Sequence, residues 1–227
     1  MLFLLVPLAA LRFFVDNTPM MSAVIGVNIA ARFLLIGRRY DWIFFLIGFI
    51  CGGGNDLMSM IKGVYYYTPE HLLPAPIPIW MLVFWGHIFV AFRQLFRLPA
   101  LGLSPVPDPP WKVDRRLVTD LVTVVALRII IYNFVQQEPV PAIGYAAAIV
   151  LRVLALPPRK NEWLAMAVVV PLGVLYEAAL IGLGLYVYFD PVFLGMPAWL
   201  IIYWVFMLPL FIKGIFDRIE VALARRA

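Results

Sequence analysis

The sequence is short of charge, of cysteine and of histidine, and each shortage closes off a class of function. Only 14% of its 227 residues are charged and 64% are hydrophobic, where a soluble domain is about a quarter charged and about half apolar. The apolar excess runs the whole length, which excludes a soluble globule with one anchor and indicates a polytopic membrane protein. The single cysteine, Cys51, excludes an intramolecular disulfide and a thiolate metal site. Two histidines, His71 and His87, are too few for a histidine-rich cluster, so neither metal nor cofactor is expected. Glycines 52–54 lack the preceding strand that a nucleotide loop needs. Close helix packing is the better account of them.

What is present is a series of apolar runs. Eight candidate spans cover residues 1–16, 20–37, 42–66, 77–97, 116–136, 141–157, 163–188 and 196–216, each judged against the roughly 20 residues that cross a bilayer. The first lacks a basic leader and a small-x-small cleavage site and carries Arg12, so it reads as a retained helix rather than a signal peptide. Eight spans with both termini on one side put Arg38, Arg39, Arg93, Arg97, Lys112, Arg115, Arg116, Arg159, Lys160, Lys213, Arg218, Arg225 and Arg226 together. The opposite loops then hold Asp16, Glu70, His71, Glu138 and Asp190 and no lysine or arginine. Basic residues accumulate on the cytoplasmic side, so both termini are expected to be cytoplasmic, in an inner-type membrane. With the loops following topology, the basic charge is no sign of nucleic acid.

The chain also repeats itself. "RRYDW" at 38–42 matches "RKNEW" at 159–163, a shift of 121. Carried forward, the same shift sets Asp56 on Glu177, Gly63 on Gly184, Tyr65 on Tyr186 and Tyr67 on Tyr188. At a shift of 119, Pro78 falls on Pro197, Trp80 on Trp199 and Trp85 on Trp204. The expected architecture is therefore all-α, with eight transmembrane helices as two parallel four-helix repeats (1–97 and 115–227) joined by a cytoplasmic linker (98–114). Four is an even number, so the repeats enter from the same side and are related by a pseudo-two-fold axis along the membrane normal.

The repeated segments carry the candidate site. Asp56 lies 14 residues past Trp42, as Glu177 lies 14 past Trp163, a rise of about 21 Å and roughly two-thirds of the way across a bilayer core of about 30 Å. A carboxylate at that depth costs on the order of 2–3 kcal/mol even on insertion scales. It has to face the interior, pair with a base or hold a proton. Ion pairs of Asp56 with Arg12 and of Glu177 with Arg128 are one account, since buried charges are usually paired. The other is that the two acids meet at the pseudo-axis, where repulsion and low dielectric turn one into a neutral proton donor. Such a donor serves alkene hydration or cyclisation, or proton-driven transport. Tyr65, Tyr67, Tyr186 and Tyr188 with Trp80 and Trp199 form either an aromatic belt at headgroup depth or the mouth of a cavity, with Met58 and Met60 along its wall. Arg32, Arg152 and Lys62 are close enough to an interface to snorkel. His87 reads as a hydrogen-bonded packing residue.

The stretch "YEAALIGLGLYVYFDPVFLGMPAWLIIYW" at 176–204 resembles the signature of the integral-membrane carotenoid biosynthesis family, which includes the bisanhydrobacterioruberin hydratases. The matching positions are Glu177, Gly184, Tyr186, Tyr188, Gly195, Pro197 and Trp199. The likeness covers about 30 residues, and 56–85 less well; the spacing from acid to tyrosines is shorter here and a glycine- and phenylalanine-bearing insert is missing. The resemblance implies a membrane protein that binds or modifies an apolar isoprenoid, polyene or other lipid, with Asp56 and Glu177 as catalytic carboxyls. A small-solute transporter through the repeat interface, and a structural or assembly subunit with its acids in internal ion pairs, remain as alternatives. The expected partners are membrane lipid and a homo-oligomer or larger membrane complex.

Overall fold

A computed structural model of the protein describes residues 2–68, 77–103 and 112–225. Glu70, His71, Arg226 and residues 104–111 of the linker lie outside the described residues. Eight helices occur among the rest: α1 (Leu2–Phe14), α2 (Thr18–Ile36), α3 (Asp41–Ile61), α4 (Ile79–Phe96), α5 (Arg115–Phe134), α6 (Val140–Ala155), α7 (Lys160–Gly182) and α8 (Ala198–Ala224). Six of them (α2, α3, α4, α5, α7 and α8) are long and apolar enough to span a membrane. The other two expected spans are present as shorter apolar helices. Helix α1 has 13 residues and α6 has 16, rises of about 20 and 24 Å against a core of about 30 Å.

The tyrosine segments are not helix ends. Gly63 and Gly184 stand at φ +67° and +78°, a left-handed conformation that favours glycine, and each stops its helix in the same way. Val64 N–H donates to the Ser59 carbonyl and Gly63 N–H to that of Met60; Leu185 donates to Leu180 and Gly184 to Ile181. Both ends form the Schellman pattern that satisfies the last free carbonyls. The chain leaves them as two short strands, β1 (Tyr65–Tyr67) and β2 (Tyr186–Tyr188), paired antiparallel with Tyr65 opposite Tyr188 and Tyr67 opposite Tyr186.

The chain divides into two compact units. The first comprises Met1–Gln94 and Glu177–Phe189. Its helices α3 and α4 cross at glycines: a Cβ on Gly52 would lie 2.7 Å from the Trp85 ring, and one on Gly48 would lie 2.6 Å from the Trp85 carbonyl oxygen. Gly48–Gly52 forms a wide π-type turn inside α3. In α1, Pro7 cannot donate to the Phe3 carbonyl. That carbonyl instead accepts from Asn28 Nδ2 at 3.0 Å and is 3.1 Å from His87 Nε2. The opposite ring nitrogen, Nδ1, faces an Arg32 amino group at 3.2 Å. A carbonyl only accepts and a guanidinium only donates, so His87 is the neutral Nε2–H tautomer. From Arg32 the polar chain continues through Gln94 (2.9 Å) to Asp41, which is paired with Arg93.

The second unit comprises Leu95–Tyr176 and Asp190–Ala227. Here α6 packs against α5 and α8, with Tyr145 edge-on to Trp199 at 5.6 Å. Gly173 lies against Trp204, where a Cβ would come within 2.2 Å of the ring. This is the repeat counterpart of the Gly52–Trp85 contact. A second correspondence lies at the basic loops. Arg38 N–H donates to Asp41 Oδ2 at 2.9 Å, and Arg159 N–H to Glu162 Oε2 at 2.6 Å. Arg32 and Arg152, expected to snorkel, are instead 3% and 2% exposed. Each has internal acceptors: Arg32 the His87 carbonyl (2.9 Å) and Gln94, Arg152 the Asp120 carboxylate (2.7 Å) and the Leu156 carbonyl (3.1 Å).

Candidate functional site

The polar centre of the first unit is built from the two strands and the two acids that precede them. Strand pleating turns alternate residues to opposite faces. Tyr65, Tyr67, Tyr186 and Tyr188 point inward, while Tyr66 and Val187 are exposed. The four inward rings pack together: Tyr65 is 5.6 Å from Tyr186 and 5.0 Å from Tyr188, Tyr67 is 5.6 Å from Tyr186, and Tyr186 is 5.5 Å from Tyr188. Edge-to-face and tilted geometries of this kind are the favourable ones for aromatic pairs. An aromatic belt thus describes Tyr66 and not the other four.

Asp56 lies one helical segment before β1, 4% exposed. The Tyr65 hydroxyl donates to its Oδ1, the Tyr67 hydroxyl to Oδ2 at 2.5 Å, and the Trp85 indole N–H to Oδ2 at 2.6 Å. Three neutral donors converge on one carboxyl group. The expected partner Arg12 is exposed. Glu177, half-buried, accepts from the Tyr188 hydroxyl at 2.8 Å, with Tyr186 beside the same carboxyl. Asp56 is close enough for its charge to be felt at Glu177. The two acids and four tyrosines therefore belong to one cluster.

The remaining expected residues lie elsewhere. Trp80 is buried in the first unit, and among the described residues its indole nitrogen has no hydrogen-bond partner. Trp199 belongs to the second unit, packed on Tyr145. Arg128, also in the second unit, bonds the Tyr203 hydroxyl and lies 4.9 Å over that ring. Met58 is 43% exposed and Met60 half-buried. Trp85 was not among the expected site residues. Its signal was the register of Trp85 with Trp204 in the repeat, which set an indole 29 residues after Asp56 and another 27 after Glu177. Among the described residues, no group of three or more His, Cys, Asp or Glu side chains is arranged to hold a metal ion.

Compared with known proteins, the chain matches no family model and no curated sequence. By fold it is similar to MvINS, a mycobacterial Insig homologue from Mycobacterium vanbaalenii, with a TM-score of 0.54 and 21% identity over 82% of this chain and 95% of that one. It is likewise similar to a cross-linked trimer of MvINS, with a TM-score of 0.55 and 22% identity over the same shares. Six spans and this likeness lead to one conclusion: the chain is an integral membrane protein with an Insig-like helical fold.

Proposed function

We propose that the protein binds an apolar lipid of the isoprenoid or polyene class within the membrane and recognises its polar end at the tyrosine–carboxyl cluster. Asp56 is the fixed acceptor that orders Tyr65, Tyr67 and Trp85. Glu177 is the outer acid, positioned to exchange a proton or accept a hydrogen bond from the ligand. The single observation that carries this reading is the concentration of polar groups: two carboxyls and four inward hydroxyl-bearing rings in one small region of an otherwise apolar unit. Lipid and cofactor sites have this composition, mostly apolar with a few convergent polar groups that fix orientation. Proton donation by Glu177 to an alkene is the chemistry implied by the carotenoid-family resemblance, and it needs the same residue in the same place.

The wider arrangement in this proposal is two parallel four-helix repeats with both termini on the basic, cytoplasmic side, assembled as a homo-oligomer. Its support is the recurrence of the Gly–Trp contact, the glycine-terminated helix end and the acid-capped basic loop at a shift of about 120 residues. The cross-linked trimer of the Insig homologue supports the assembly. The test is native mass spectrometry with lipid extraction, comparing wild type with an Asp56→Asn, Glu177→Gln double variant. A co-purifying isoprenoid or polyene that is lost in the folded variant is the expected result. A folded wild-type protein carrying no such lipid would overturn the reading.

A further inference from the structure

The segment between β2 and α8 carries an apolar tip that the second unit leaves uncovered. After Asp190 and Pro191 the chain makes a two-residue hairpin in which Phe193 pairs with Met196. Met196 N–H donates to the Phe193 carbonyl at 2.9 Å, and Phe193 N–H donates back to the Met196 carbonyl at 3.1 Å. Val192 N–H closes on the same Met196 carbonyl at 2.8 Å. Met196 is fully buried, so the base of the hairpin is locked into the unit, while Val192, Phe193 and Leu194 are 71%, 55% and 51% exposed.

The backbone of the tip makes this exposure harder to account for. Leu194 and Gly195, its central residues, stand at φ +51° and +78°, the left-handed pair that a type I′ turn requires. Asn-Gly or Asp-Gly is the usual choice there, because asparagine and aspartate tolerate that region and a bulky side chain does not. Asp190, at φ +46°, follows the rule; Leu194 breaks it. A leucine held in a strained conformation with half its surface uncovered costs stability twice, and the compensation has to come from outside the unit.

The length of the chain places that compensation. Leu194 is four residues before Ala198, where α8 begins, and an extended chain covers at most about 3.6 Å per residue. The tip is therefore within about 14 Å of the end of a membrane span. That span is also short of apolar length. Its charge-free part, residues 198–212, rises about 22 Å against a bilayer core of about 30 Å. A span with such a deficit draws adjoining residues toward the core or thins the bilayer around it. At its C-terminal side the next residue is Lys213; at its N-terminal side Pro197 and the whole hairpin follow, with no charge before Asp190.

We propose that the hairpin at Val192–Met196 is a lipid wedge, seated at the acyl-chain boundary of the leaflet that the N-terminal end of α8 reaches, with Leu194 as its inserted side chain. The closed backbone bonds at Val192, Phe193 and Met196 suit it to that position, because open amides are what keep irregular chain out of lipid. The tyrosine–carboxyl site is not required for this inference.

The test uses the full chain in phosphatidylcholine nanodiscs, with the exposed Cys51 replaced by serine so that one introduced cysteine carries an environment-sensitive fluorophore. Probes go at Leu194→Cys, at Val192→Cys and, as an exposed control, at Lys160→Cys. Emission is quenched either by phosphatidylcholine bearing a doxyl group high on its acyl chain or by iodide in the water. The two tip probes are expected to respond to the lipid quencher and to be protected from iodide, and the Lys160 probe to do the reverse. Leu194→Asp puts in a residue that tolerates the left-handed backbone and adds a charge; it is expected to turn the Val192 probe from lipid quenching to iodide quenching. Tip probes as open to iodide as the Lys160 probe would overturn the proposal. Protection from both quenchers would overturn it too, and would assign the tip to a protein contact. An unchanged Val192 probe in Leu194→Asp would remove Leu194 from the role given to it and overturn the proposal as stated. Should Leu194→Cys fail to fold, the Val192 probe with and without Leu194→Asp decides alone.

Discussion

At the scale of single residues, the protein handles buried charge in two ways. Asp56 is held by neutral donors, whereas Asp41, Asp120 and Glu162 are held by arginines. The difference is testable at Trp85. Replacing it with phenylalanine keeps an aromatic ring over Gly52 but removes one donor, and leaving a buried carboxylate short of a hydrogen bond costs about 1–3 kcal/mol. The expected outcome is a destabilisation of that size in reversible detergent unfolding, with a smaller loss for Tyr66→Phe, whose side chain is exposed. The acids and tyrosines were legible in the sequence because charge is conspicuous in an apolar run. Their partners were not. Sequence reasoning supplied arginines because opposite charge is the commonest remedy for burial, and hydrogen bonding to phenols and an indole leaves no charge signal to read. Arg32 and Arg152 illustrate the converse: near an interface by count, they turn inward because internal acceptors are already placed for them.

At the scale of elements, the repeat is visible in how helices touch. Gly52 and Gly173 each accept a tryptophan face where a side chain would stand, the close approach that small residues permit between membrane helices. Gly173→Ala is expected to destabilise by about 1–3 kcal/mol through overpacking. Gly26→Ala, with nothing within 4 Å of the new Cβ, is expected to be neutral or slightly stabilising, since alanine is the better helix former by about 1 kcal/mol. Thermal unfolding of the two variants side by side checks both. The long helices were readable from hydropathy alone. The two shorter ones, α1 and α6, were legible as a short and a marginal run, each with an arginine in its last turn. Strands of three residues were beyond reach, since three tyrosines at a helix end carry no periodicity. The signal that was available lay in Gly63 and Gly184, which end both helices at one repeat position.

At the scale of the molecule, ion pairs tie together stretches far apart in the chain. Asp114 caps α5 through the Leu117 N–H at 2.8 Å and grips Arg218 of α8. Burial works to raise its pKa, but the Leu117 N–H and the Arg218 guanidinium outweigh it, and the carboxyl sits below its ordinary value. A carboxyl depressed on folding adds stability above its unfolded pKa of about 3.9, and loses it as pH falls through the lower folded value. Wild type is therefore expected to exceed Asp114→Asn in melting temperature at neutral pH. The gap should close below about pH 4, because asparagine keeps the cap and lacks only the charge. A gap independent of pH would assign the effect to packing. The concentration of basic residues in a few loops was legible in the sequence. Which arginine meets which acid was not legible, for Asp114 and Arg218 are 104 residues apart.

The strand pair has a consequence for how the protein is made. Tyr65–Tyr67 leaves the ribosome long before Tyr186–Tyr188, its partner in the sheet. At ordinary rates of synthesis the intervening stretch takes roughly ten seconds. During that interval the nascent first unit has an open strand edge and half of its tyrosine cluster. Trp85 arrives only 29 residues after Asp56 and, with the two tyrosines just behind the acid, can shelter the carboxylate while the chain waits. The early helices are thus inserted in an unfinished state, and the last piece of the first unit comes from the far end of the seventh helix.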